Sequence, residues 1–120
     1  MSSHLEQDFH HAMQSIYDRA AKLKPPYYAK AFRQLVNTHG GKAAADRLLA
    51  AAKPSQNFVE LFLRGRENLQ LSAEYLVLQA PWSSLFSAEQ LAIARRRLIQ
   101  HECPLPPQPA ASDEPGATQA

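Results

Sequence analysis

Leu71-Ser72-Ala73-Glu74-Tyr75-Leu76 and Phe86-Ser87-Ala88-Glu89-Gln90-Leu91 share one grammar, and both lie inside the stretch Phe58–Leu98. In each phrase a serine stands where a helix N-cap is needed. Its hydroxyl can accept from a backbone N–H that has no partner inside the helix. An acid follows in the first turn, where the helix dipole favours negative charge. Apolar residues at the positions before and four after the cap can close over it as a hydrophobic staple. The two phrases therefore predict two short helices, Ser72–Leu78 and Ser87 to about His101, separated by an apolar corner at Pro81, Trp82, Leu85 and Phe86.

Upstream of these phrases the pattern stays helical. Pro54-Ser55 opens a helix over Phe58-Val59-Glu60-Leu61-Phe62-Leu63, which is apolar almost all round and is predicted to be the buried hub of the domain. Gly65 suits its C-terminal end, with Arg64 and Arg66 placed where positive charge complements a helix C-terminus. Before it lies an alanine-rich helix over Lys42–Ala52, whose small side chains favour helicity. Gly40-Gly41 divides that helix from one predicted to start at Pro26 and to present Tyr28, Phe32, Leu35, Val36 and His39 on one face. The first helix is announced by Ser3 and Glu6 as a capping box. Leu5, Phe9, Ala12, Met13, Ile16 and Ala20 recur on its apolar stripe until Pro25-Pro26. No period-two alternation or Asn-Gly hairpin turn competes. The fold class expected is all-α, a compact orthogonal array of five to six short helices.

The totals bound the rest. A chain of 120 residues is one domain by size. Five of the nine prolines fall at Pro104, Pro106, Pro107, Pro109 and Pro115. The helical domain is therefore expected over residues 3–102, with a disordered proline-rich tail over 103–120. Residues 1–102 carry 13 bases and 9 acids, a net +4, which permits contact with nucleic acid without requiring it. Cys103 is the only cysteine and is expected to be an exposed thiol at the domain edge. No basic-then-apolar leader and no membrane-length apolar run is present, so the expected location is the cytoplasm.

The order of landmarks from Tyr17 to Leu98 resembles a small helical module of bacterial hypothetical proteins. The matching landmarks are Pro26-Tyr27-Tyr28, Phe32, Gly40-Gly41, Leu48-Leu49, Phe58, Leu61, Gly65-Arg66, the Leu-Ser-Ala-Glu phrase, and Leu85-Phe86-Ser87 with Ala94-Arg95-Arg96-Arg97-Leu98. That module is loosely linked to restriction-type and mobile-element proteins. The resemblance implies a bacterial accessory protein and supplies no catalytic residue.

Arg95-Arg96-Arg97 looks like a phosphate patch, but three successive residues fan over about 200° of a helix and cannot share one face. With Leu91, Ala94 and Leu98 as the buried stripe, Arg95 falls at its margin as an ion-pair residue for Glu74 or Glu60. Arg96 then points out, and Arg97 lies in solvent on the other flank. Arg96 and His101 resemble the Arg-x(4–6)-His signature of a helical ribonuclease family, although that family has a polar Asn, His or Asp after the arginine where this chain has Arg97. His4, Asp8 and His11, with His10 beside them, share a helix face that a metal could use, but a solvated polar face explains it and no metal is expected. A helix-turn-helix drawn through Lys42–Leu63 would have an apolar recognition helix, unsuited to base edges. Pro104-Leu105-Pro106-Pro107 has the PxxP form of a polyproline ligand.

No phosphate loop, nucleophile elbow or paired-carboxylate motif appears. The function expected is therefore a non-enzymatic protein-interaction, adaptor or regulatory module, accessory to a mobile-element or defence system on the strength of the resemblance. It needs no cofactor and meets its partner through Arg64, Arg66 and Arg96. The alternatives are nucleic-acid-backbone binding and, behind it, a ribonuclease using Arg96 and His101. Oligomeric state is not legible, because the same apolar residues serve a core or a dimer seam.

Overall fold

Ser72 and Ser87 both cap helices. The computed structural model describes residues 4–106. In it the Tyr75 N–H donates to Ser72 Oγ at 3.2 Å and the Gln90 N–H to Ser87 Oγ at 3.1 Å. The second cap is reciprocal, since the Ser87 N–H donates to Gln90 Oε1 at 2.9 Å. Ser55 acts likewise, accepting from the Phe58 N–H at 3.2 Å. The helices are α1 His4–Ala20, α2 Lys30–His39, α3 Gly41–Ala50, α4 Gln56–Leu63, α5 Ala73–Val77 and α6 Ala88–Gln100, with 3-10 turns at Arg66–Leu71 and Trp82–Leu85. No strand occurs among the described residues, so the fold is all-α. Among them, too, no helix is long and apolar enough to cross a membrane. The Ser3 cap and the tail from Pro107 lie outside the described residues.

The core forms where the predicted stripes meet. Phe9 and Met13 of α1, Val36 of α2, Leu49 of α3, Phe58 and Leu61 of α4, Val77 of α5 and Leu98 of α6 are fully buried. Phe9 meets Trp82 and Phe86 edge-on, with ring centroids 6.1 and 5.4 Å apart, so the apolar corner between the two phrases closes against α1. The α2–α3 junction is as tight as a junction can be. Gly40 takes φ +86 and ends α2, and Gly41 begins α3. A Cβ on Gly41 would lie 2.6 Å from the Cα of His10, so only a glycine lets α3 come this close to the α1 backbone.

Four expectations change. α2 starts at Lys30 rather than Pro26, because the Tyr27 N–H is drawn back to the Ala20 carbonyl (3.0 Å) and holds the connector against the end of α1. α3 stops at Ala50, and Ala51 is extended. α4 is only half a hub. Phe58 and Leu61 are buried, whereas Val59, Phe62 and Leu63 are 38, 37 and 70% exposed. One helix eight residues long turns two faces, and the domain covers only one of them.

The fourth change is at the C-terminal end. Cys103 and Pro106 are buried and Leu105 packs on the core. The Cys103 N–H donates to the Leu98 carbonyl and the Glu102 N–H to that of Ile99, at 2.9 and 3.0 Å, while Glu102 takes φ +59. This is a Schellman end with Glu102 in the left-handed position and Cys103 as its apolar contact. Cys103 is thus a buried thiol, and burial raises its pKa. Native protein is expected to resist iodoacetamide at pH 7 and to react fully once unfolded in guanidinium, as read by intact mass. Rapid native alkylation would mean that this end opens freely.

Candidate functional site

The arginine triplet divides its labour differently from the sequence expectation. Arg97, only 5% exposed, is the buried member. Its Nη1 donates to Glu74 Oε2 at 2.9 Å and to the Leu48 carbonyl at 3.0 Å, and its Nη2 to the Ala51 carbonyl at 2.6 Å. Arg95 is half-buried and takes neither Glu74 nor Glu60, since Glu74 pairs with Arg97 and Glu60 with Arg64. Arg97 lies three residues past Ala94, so it shares the buried side of α6 that turns toward α3 and α5. There it satisfies the open carbonyls at the end of α3, a role a fork of donors suits better than an ammonium. Glu74 is 1% exposed, and burial raises its carboxyl pKa against the pull of Arg97. The matching acid of the second phrase, Glu89, is exposed. One local grammar therefore serves two tertiary purposes.

Of the three expected contact residues, Arg64 is structural. It pairs with Glu60 at 2.7 Å, donates to the carbonyls of Glu60 and Pro25 at 3.1 and 3.2 Å, and lies over the Tyr27 ring at 4.9 Å. Its hydrogen bond holds the Glu60 carboxyl below the usual range, and burial raises the Tyr27 hydroxyl. Arg66 is exposed and pairs with Glu102. Arg96 is exposed and lines a cleft of about 340 Å³ between the end of α3 and α6, with Ala51, Pro54, Ile93 and Gln100. Arg64 and Arg66 flank the end of α4, and Arg96 stands apart from them.

His101 lies between Phe58 and Phe62, with both ring centroids 4.8 Å away. Its Nδ1 is 2.7 Å from the Arg97 carbonyl, which can only accept, so Nδ1 carries a proton. Arg96 and His101 are five residues apart and so about 140° apart around α6. One packs against α4 and the other lines the α3 cleft, an arrangement that does not bring them to one phosphate. His10 Nδ1 accepts the Gly41 N–H at 2.9 Å and thereby caps α3 from α1. A cleft of about 570 Å³ lies beside it, lined by His10, His11, His39, Glu6, Lys42 and Asp46. Lys42 and Asp46 pair at 2.8 Å, and Gln90 Nε2 donates to Asp46 at 2.9 Å. Among the described residues, no group of His, Cys, Asp or Glu is arranged to hold a metal.

Among the described residues, two exposed helix faces stand out. One is the outward face of α4, with Val59, Phe62 and Leu63, rimmed by the Glu60–Arg64 and Arg66–Glu102 pairs. The other is the outward face of α2, with Lys30, Arg33, Gln34 and Asn37, all exposed. The sequence reading missed the second, although a signal was there: residues 19–45 contain six of the thirteen bases and no acid. A net charge averaged over the whole chain conceals that run. Comparison with protein-family models, with curated proteins and with solved structures found no match.

Proposed function

We propose that the chain is a non-enzymatic protein-interaction module that docks its partner through the outward face of α4. The observation that carries this is the exposure of Val59, Phe62 and Leu63 on a helix whose opposite face is the core. An apolar centre within a polar rim is the usual anatomy of a docking patch. The rim here carries both signs, Glu60 and Glu102 beside Arg64 and Arg66. Arg66 keeps its role as a partner contact, Arg64 shapes the rim, and Arg96 lies outside the patch. The partner that fits is a protein offering an apolar slot for Phe62 and Leu63. The setting, a bacterial mobile-element or defence system, rests on the resemblance of Tyr17–Leu98 and belongs to the same proposal.

The test compares tagged wild type with Val59→Asp/Leu63→Asp and with Arg96→Ala in recovery from the host, alongside molar mass in solution. Both altered apolar residues are exposed, so the fold should hold to within about 0.5 kcal/mol. A partner kept by Arg96→Ala and lost by the double variant supports the reading. A dimer that the double variant splits makes the face a self-interface instead. Identical recovery by all three proteins would sink the proposal.

A further inference from the structure

We propose that the outward face of α2 binds single-stranded nucleic acid, with phosphates on Lys30 and Arg33 and a base on Tyr28. This surface is separate from the α4 patch and does not depend on it. α2 buries Phe32 and Val36 and exposes Lys30, Arg33, Gln34 and Asn37, which stand at i, i+3, i+4 and i+7 and so form one stripe. No acid interrupts it. Nor does any acid fall between Asp18 and Asp46, a run that adds exposed Arg19, Lys22 and Lys24 beside the stripe in sequence. Four of the eight cations from Lys42 to Arg97 already hold a carboxylate: Arg97 that of Glu74, Arg64 that of Glu60, Arg66 that of Glu102 and Lys42 that of Asp46. Lys30 has no such pair, and Arg33 rests only over the Tyr17 ring, 5.5 Å from its centroid.

Two clefts meet on these two cations. One, of about 230 Å³, runs between Tyr17 and Tyr28 past Lys30 and Arg33, with Asp18 as its single acid. The other, of about 400 Å³, continues along α2 past Gln34, Asn37 and Thr38. Tyr28 is 66% exposed at the mouth of the first. Cations alone would suit any polyanion. An exposed ring beside them adds a stacking platform, which an acidic peptide does not need and a base inside a duplex cannot reach. Amide side chains farther along the stripe carry the paired donor and acceptor that base edges require. Phosphate attraction on the cations with base stacking on a neighbouring ring is how single strands are held.

The test is fluorescence anisotropy with a labelled oligothymidylate of about 20 nucleotides, against the matching duplex, at salt from about 50 to 200 mM. Lys30→Ala/Arg33→Ala should weaken binding at least tenfold at low salt and flatten the log–log salt slope by about 1.4, two phosphate contacts for a single strand. Tyr28→Ala should weaken it about tenfold with the slope unchanged, and Tyr28→Phe should bind like wild type. All these side chains are exposed, and the thermal midpoint of each variant confirms that the fold is intact. Absence of oligothymidylate binding at low salt overturns the proposal, including the case where heparin still retains the protein. So does a double variant that binds as wild type, or a duplex held as tightly as the single strand.

Discussion

Arg97→Ala is expected to lower folding stability by about 3–5 kcal/mol, the range for removing one partner of a buried ion pair. A domain of this size has about 5–15 kcal/mol in all, so the variant should unfold at a much lower urea concentration or be recovered partly unfolded. Three acceptors lose their donor at once: the Glu74 carboxylate and the carbonyls of Leu48 and Ala51. Arg97→Lys should fall between, because one ammonium cannot reproduce the forked geometry. Midpoints no lower than that of Arg96→Ala would show that the buried pair contributes nothing.

The same pair gives the stability a pH dependence with a definite sign. Burial raises the Glu74 carboxyl above its ordinary 4.5 in the folded state, so the folded protein holds this proton more tightly than the unfolded chain does. The contribution is most favourable below 4.5 and is lost as pH rises from there through the raised folded value. Glu74→Gln keeps an acceptor for Arg97 and removes the titration. Its midpoint should track wild type near pH 4 and gain on it as pH rises toward about 7. A variant that loses ground to wild type over that range would reverse the sign.

Phe9→Ala should cost about 3–5 kcal/mol as well, for a different reason. Phe9 is fully buried, and its ring fills the space between Trp82 and Phe86. Its loss removes the transfer free energy of the side chain and leaves a cavity at the corner where α1 meets the chain between α5 and α6. Phe9→Leu should recover more than half of the loss, and urea midpoints measure both. Equal losses for the two would place the cost in ring geometry rather than in volume.

Much of the architecture was legible because it is written locally. A serine cap, an acid in the first turn or a glycine pair acts within four residues, and Ser55, Ser72, Ser87 and Gly40 all do what their neighbours imply. What was not legible depends on partners far along the chain. Arg97 rather than Arg95 is buried because the end of α3 happens to arrive on that side of α6, and nothing near residue 97 encodes it. Pro26 carries a sound local signal for a helix start, and a bond from Tyr27 to Ala20 overrides it. Val59, Phe62 and Leu63 read as core because an apolar residue looks the same whether the domain or something else covers it. Cys103 was misplaced because a proline-rich composition masks the short run that closes onto α6. Of the candidate surfaces, the end of α4 was chosen for Arg64 and Arg66 while its apolar face was read as a buried hub, and α2 was passed over although its acid-free run is plain in the sequence.

The Arg97 clasp also ties together parts of the chain that lie far apart in sequence. The carbonyls of Leu48 and Ala51 receive their donor from a residue 49 and 46 positions later. Until α6 docks, water serves those carbonyls and the Glu74 carboxylate. When α6 docks, one side chain replaces that water and adds a polar tie between the N-terminal and C-terminal halves to the apolar one that Phe9 makes with Trp82 and Phe86. Neither half holds this clasp on its own, so the two halves should unfold in a single transition.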